Sequence, residues 1–322
     1  MADQSYTFVK PAHFPEPTYT FDNNPVTREG FLLGKKLFFD PSLSRDKSVS
    51  CNNCHIQSTA FSDGPQHPLS IGVDNRIGKR NAPSLANLAF MREFFWDGGV
   101  THLDFTATNA IENELEMDES LANVLKKLNE DEEYPALFRE AFGIDTITSP
   151  YLLYAFSQFM VMMVSDDSRY DRHLLNKGEV LTADELNGMR LFEEKCSSCH
   201  EGILFTDLRF RNNGISSTFN DTGRAGITEY SGDEGKFRVP SLRNVARTAP
   251  YMHNARFQTL EQVLAHYAGG VVASPTLDPS LKNGNQLGIP MSEKEQSQII
   301  AFLETLTDQS FIRDPRFMNS NR

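Results

Sequence analysis

Two five-residue stretches decide how this chain is read: Cys51-Asn52-Asn53-Cys54-His55 and Cys196-Ser197-Ser198-Cys199-His200. No other cysteine occurs among the 322 residues. C-x-x-C-H is the attachment signature of c-type haem. Two thiols at this spacing add to the vinyl groups of one porphyrin, and the adjoining imidazole is placed beneath the iron. A zinc ribbon also pairs C-x-x-C units, but its pairs lie within about 15–20 residues of each other, far closer than these. A thioredoxin-like redox pair needs one copy and no neighbouring histidine. Two complete copies that use every cysteine point to two covalently bound haem c groups.

Composition sets the outer bounds. The chain is 39% hydrophobic with 24 Phe, enough for real cores and for two ordinary domains. A net charge of −12 argues against nucleic acid and anionic membrane surfaces, and suits a basic protein partner. The longest apolar stretch, Tyr151 to Val164, contains Ser157 and Gln158. It is too short to span a bilayer and reads as a buried helix. The opening MADQSYTFVK has neither the basic nor the apolar region of a signal peptide. Bacterial haem attachment takes place outside the cytoplasm, so the expectation is a periplasmic protein whose export signal is absent from the sequence as it stands.

The expected fold is mainly α: two cytochrome c-like haem domains with long loops and little or no β structure. Thr27-Arg28-Glu29 opens GFLLGKKLFF, a helical pattern that stops at Asp40-Pro41, before the first haem site. Thr182 to Glu185 is a capping box whose helix runs through GMRLFEEK into the second haem site. Thr259 to Gln262 and Ser292 to Glu295 repeat the box ahead of LEQVLAHY and KEQSQIIAFLETL. Two further helical patterns lie between 120 and 165, broken at Tyr134-Pro135 and Ser149-Pro150. Residues 201–258 and 268–291 read as long loops. The organisation expected is an extension over 1–26, an N-terminal haem domain over 27–170 and a C-terminal haem domain over 171–322. Equivalent placement of the haem sites suggests an old duplication, with no strong internal repeat beyond them.

The segments LGKKLFFDPSLSRDKSVSCNNCH, KRNAPSLANLAF and FFWDGG, then FRVPSLRNVARTAPYMH, TLEQVLAHY and FLETLT, occur in that order from about Thr27 to Asp308. In this arrangement they resemble the bacterial di-haem cytochrome c peroxidases. That family also includes the MauG type, which oxidises tryptophans of a partner protein. The resemblance implies that His55 is the proximal ligand of the peroxidatic haem and His200 that of the electron-transferring haem. Trp96, the sole tryptophan, falls where the family places an aromatic between the haems. Glu116, rather than Glu112 or Glu114, matches the distal acid of the peroxide pocket. Asn81, Thr248 and Pro250 match a calcium site of hard oxygen donors.

Three departures shape the expectation. Aligning SIGVDN with the loop that carries a distal histidine in classical members puts Val73 at that position, with His67 six residues earlier. Tyr267 takes the place of the classical distal methionine, as in the MauG type, with His266 and Met291 as substitutes. Thr106 replaces the glutamine that accompanies the distal acid. The function implied is activation of hydrogen peroxide at the N-terminal haem, with high-valent iron oxidising a protein or electron-donor substrate. The rival reading is a classical peroxidase fed by a small cytochrome or cupredoxin. A rival of another class is a non-catalytic di-haem carrier or sensor. A homodimer is compatible with the family.

Overall fold

The computed structural model describes residues 6–64 and 67–319; the first five residues of the 1–26 extension lie outside these. The structure is mainly helical, with two short two-stranded antiparallel sheets among the described residues. The chain divides into two compact units. One comprises Met1–Arg92, His102–Val164 and Arg313–Arg322; the other comprises Glu93–Thr101 and Ser165–Ile312. Neither unit is a single stretch of chain, because a short segment around Trp96 and the C-terminal tail each belong with the other half of the sequence.

In the first unit, α1 (Arg28–Phe39) starts where the Thr27 hydroxyl accepts the Gly30 N–H at 3.0 Å. It ends at Asp40, whose carboxylate caps the following Pro41 turn. α2 (Thr106–Glu112), α3 (Leu121–Glu130), α4 (Tyr134–Phe142) and α5 (Ser149–Val161) follow. Pro135 and Pro150 each occupy a first helical turn, where the missing N–H costs nothing. They open helices rather than break them, so 120–165 holds three helices instead of two. The aromatic core joins α1 to α5, with Phe38 and Phe159 centroids 5.1 Å apart. Phe317 from the tail stacks edgewise on Phe61 at 5.9 Å. Burying each such ring contributes roughly 1.5–3 kcal/mol.

In the second unit the helices are α6 (Arg169–Leu174), α7 (Ala183–Lys195), α8 (Ala225–Thr228), α9 (Leu260–Ala265) and α10 (Glu293–Glu304). The capping boxes at Thr182 and Ser292 are both closed. Thr259 accepts the Gln262 N–H, but the Gln262 side chain reaches back to the Gln258 N–H. The long loops carry strands β1 (Phe210–Arg211) with β2 (Phe237–Arg238), and β3 (Lys282–Asn283) with β4 (Gln286–Leu287).

The two units are built on one plan, which corrects the expectation of no repeat beyond the haem motifs. Gly34 of α1 lies so close to α5 that a Cβ would sit 1.9 Å from the Ala155 carbonyl oxygen. Gly188 of α7 stands in the same relation to α10, 1.8 Å from Gln298 O. Phe192 and Phe302, 5.3 Å apart, repeat Phe38 and Phe159. Asn81-Ala82-Pro83-Ser84-Leu85 is matched by Arg238-Val239-Pro240-Ser241-Leu242. The Ser84 and Ser241 hydroxyls donate to the Ala60 and Leu204 carbonyls, each at 2.6 Å. Three residues on, Asn87 and Asn244 both adopt positive φ. So few identities survive because the repeat is held by backbone close approach and turn chemistry.

Candidate functional site

Each C-x-x-C-H motif folds as a tight turn that hangs its histidine from the chain by the imidazole. The His55 Nδ1–H donates to Phe61 O at 2.7 Å, and His200 Nδ1–H donates to Phe205 O at 3.1 Å. Pro83 and Pro240 supply further backbone acceptors to the same two rings. Burial lowers both imidazole pKa values, so both rings are neutral with Nε2 as the free lone pair. That is the tautomer an iron ligand needs, set by the bond at the other nitrogen. Burial pushes the Cys51, Cys54 and Cys196 thiols up to about 12. Reactive or zinc-binding thiolates sit in the opposite regime, with lowered values. No cluster of three or more His, Cys, Asp or Glu able to hold a metal ion occurs among the described residues.

Around the first motif, the segment after α2 and the loop over 70–78 meet. The Glu116 carboxyl is lifted to about 7 by burial, moderated by Asn113, whose Nδ2–H donates to Oε1 at 2.8 Å. Its charge is felt by both Cys51 and Cys54. Glu112 and Glu114 are exposed, so of these three glutamates Glu116 is the one that acts on the motif's cysteines, beside the buried Asp63, which also acts on Cys54. Val73 is fully buried and its N–H donates to Glu116 O at 2.8 Å. Gly72 permits this approach, because a Cβ there would sit 2.2 Å from Leu115 O. Arg45 and Arg76 bridge the carboxylates of Asp74 and Asp118, tying the loop to the acid-bearing segment. His67 stands apart, its half-exposed ring 3.6 Å from the Asp63 carboxylate. The Thr106 hydroxyl donates to Leu103 O at 2.8 Å, so its proton is committed to the helix start.

Around the second motif, a π-helical turn over His266–Gly270 follows α9. Tyr267 is pushed up to about 12, chiefly by burial, and both Cys196 and Cys199 act on it. The His266 ring lies 5.3 Å from that of Tyr267, with its Nε2–H donating to Asn213 O at 3.0 Å. Met291 packs on the α7–α10 core.

Trp96 lies on a loop closed by the Phe94–Val100 bridge, in the second unit. Its carbonyl accepts the Arg238 N–H at 2.7 Å. Arg224 clamps the loop, donating to Asp97 O and Gly98 O at 3.0 Å each and to Glu93 at 2.7 Å, with its guanidinium over Phe210. Sequence reasoning passed over Arg224, and also His253. The Tyr251–Phe257 bridge closes an equivalent loop in the second repeat, with His253 at the place of Trp96. The two rings meet edgewise at 6.5 Å, and His253 stacks on Phe237 at 3.6 Å. The repeat was the signal that could have found it. Asn81 belongs to the first unit, and Thr248 and Pro250 to the second.

The family described as di-haem cytochrome c peroxidase matches residues 28–179. The methylamine utilization protein MauG of Methylorubrum extorquens is 36% identical over 93% of this chain and 83% of its own. The cytochrome c551 peroxidase of Pseudomonas aeruginosa is 31% identical over 95% of this chain and 86% of its own. A crystal structure of a MauG-like protein associated with microbial copper homeostasis superposes with a TM-score of 0.87 at 32% identity, over 98% of this chain and all of that one.

Proposed function

This chain belongs to the di-haem cytochrome c peroxidase and MauG family and is an oxidoreductase of that peroxidase type; from that premise we propose that it activates hydrogen peroxide without prior reduction and passes the oxidising power to a protein or electron-donor substrate. The donor sets suit two haems: paired cysteines beside a buried imidazole that donates from Nδ1 and keeps Nε2 for a metal, twice over. When bound, the haems supply the electron transfer and the reduction of peroxide.

The observation that carries the reading is the buried aliphatic Val73 pinned to Glu116, where a classical member presents a histidine. With no imidazole at this position to displace, peroxide would reach a haem held by Cys51, Cys54 and His55 beside Glu116. Glu116 takes a proton from peroxide at one carboxylate oxygen and returns it to the departing water. A carboxyl poised near 7 can do both, because either form is populated at neutral pH. Tyr267 supports the MauG-type variant, since a phenolate is a hard donor that favours oxidised iron. Trp96 is proposed to relay oxidising equivalents, and Asn81, Thr248 and Pro250 to hold a calcium ion.

The protein is proposed to act in the periplasm. No helix among the described residues is long and apolar enough to cross a membrane. The deciding experiment is the spectrum of the diferric protein before and after one equivalent of hydrogen peroxide. A high-spin resting haem that reacts directly supports the proposal. A requirement for one-electron reduction returns the chain to the classical cytochrome c peroxidases. Six-coordinate spectra at both irons, unchanged by peroxide, would leave a carrier.

A further inference from the structure

A buried phenol outside both haem motifs is set up to lose its proton. Tyr19 precedes α1 and is only 6% exposed. Its hydroxyl donates to Asp104 Oδ1 at 2.9 Å and accepts the Asn24 Nδ2–H at 2.9 Å. Asn24 is itself fixed, its Oδ1 accepting from Gln158 at 2.8 Å and its amide also donating to Tyr154 O at 3.1 Å. Ser157 donates to the same Asp104 oxygen at 2.5 Å. The other carboxylate oxygen, Oδ2, lies 3.4 Å from His102 Nδ1, whose lone pair accepts the Asp104 N–H at 3.3 Å. That imidazole is half-exposed, so the chain from phenol to carboxylate to imidazole ends in solvent.

All of these residues belong to the first unit, which also holds the His55 motif. Asp104 lies in the turn that leads into α2, a helix of seven residues that spans about 10 Å. The segment carrying Glu116 folds back on that helix, Met117 N–H donating to Ala110 O at 3.2 Å. The phenol's proton acceptor is thus joined to the candidate peroxide acid by one short helix. We propose that Tyr19 is a redox-active residue that discharges an oxidising equivalent left unspent in the first unit. The proposal rests on the peroxide reading above, with hydrogen peroxide as the oxidant. Tyr19 gives one electron to the oxidised haem, which drops by one equivalent. The phenolic O–H breaks as its proton passes to Asp104 Oδ1, where a carboxylic O–H forms, and the product is a neutral phenoxyl that keeps the Asn24 hydrogen bond. Without that acceptor the electron would leave a cation in a dry interior, which burial opposes. His102 then takes the proton outward.

The test uses purified holoprotein given one equivalent of hydrogen peroxide and no other donor, followed by freeze-quench electron paramagnetic resonance and haem absorption. The parent should develop a phenoxyl signal as its haem spectrum returns toward the resting form, and ring-deuterated tyrosine should narrow that signal. Tyr19→Phe should react with peroxide at the parent's rate, lose the signal and hold its oxidised haem longer. Asp104→Asn has the same shape but is a poor base and should slow the appearance of the signal by about 100-fold, which covers a phenylalanine variant that fails to fold. A parent whose haems react without any phenoxyl signal, or a signal that survives Tyr19→Phe, would overturn the proposal. So would an oxidised haem that decays at the parent's rate in both variants. Haem spectra unmoved by peroxide would instead overturn the reading of function, and this proposal with it.

Discussion

The Val73 N–H donates to the Glu116 carbonyl at 2.8 Å, joining the loop over 70–78 to the segment that carries the candidate distal acid. Gly72 N–H in turn donates to Arg76 O at 2.8 Å, and Arg76 reaches both Asp118 and Asp74. The loop and the acid thus form one hydrogen-bonded and ion-paired body. Each surface ion pair contributes little alone, about 0–1 kcal/mol, but a network on four residues resists the opening of a loop.

The carboxyl at 116 makes the first prediction. Glu116→Gln should leave both haem spectra nearly intact while slowing the reaction with peroxide by about 100-fold or more. In the parent, the rate should rise with pH through about 7, because the base form is populated above that value. Asn113 lowers the Glu116 pKa through its hydrogen bond, so Asn113→Ala should carry the limb to higher pH. A rate that is flat across this range would move the proton transfer to another group.

Trp96 owes its placement to Arg224, which holds two carbonyls and a carboxylate of its loop. Trp96→Phe should preserve peroxide binding and impair electron exchange between the haems. Arg224→Ala should impair it too, with Trp96 still present, because the loop loses its clamp. Rapid-mixing spectroscopy of the two haems checks both. Parent-like exchange in Trp96→Phe would make the indole mere packing.

Much of this was legible before any coordinates. Paired thiols and an adjacent imidazole announce covalent haem because few other chemistries need that spacing. Thr27, Thr182 and Ser292 announce helix starts because their hydroxyls accept from backbone N–H groups three residues on. Glu116 could be singled out only by alignment; the burial that lifts its pKa depends on contacts from a distant loop. The duplication was suggested by the haem motifs, but its extent escaped because the shared residues around Gly34 and Gly188 are few and short in span. His253 escaped with it. The placement of Glu93–Thr101 in the second unit escaped because long-range hydrogen bonds from Arg224 and Arg238 leave no local pattern.

Stability should hinge on the ion pair of Arg243 and Asp171, both almost fully buried, with two N–H···O contacts at 2.8 and 2.7 Å. Although burial works against ionisation, Arg243 and Ser168 hold the Asp171 carboxyl below its ordinary range. Arg243→Met strands a buried carboxylate and should cost about 3–5 kcal/mol, measured by denaturant unfolding. A depressed carboxyl contributes stability above its unfolded pKa and loses it as pH falls through the folded value. The parent's lead over Arg243→Met should therefore shrink in acid. A variant as stable as the parent would show that the pair contributes only specificity.

Calcium gives a separate test of the proposed oxygen donors. Chelation should depress peroxide turnover and calcium should restore it, while the haem content stays fixed. Asn81→Ala should mimic chelation and resist rescue. Activity indifferent to both treatments would leave Asn81, Thr248 and Pro250 without an ion.

The sharpest division is between storing oxidising power and spending it at once, and it rests on Tyr267. Methionine stabilises reduced haem iron, whereas an anionic phenolate stabilises the oxidised metal. With Tyr267 on the second iron, the diferric protein should accept two oxidising equivalents from one peroxide and hold them long enough to record. Tyr267→His should keep that haem six-coordinate while shortening the life of the doubly oxidised state or preventing it. His266 is engaged with Asn213 O and Met291 packs on the α7–α10 core, so ligation by either would first have to give up those contacts. Near-infrared and Mössbauer spectra of the peroxide-treated protein read the outcome. A Tyr267→His variant whose oxidised state outlives the parent's would remove the tyrosine from the storage role. The oxidising power would then have to reside on protein side chains, with Trp96 and the His253–Phe237 stack the first place to look.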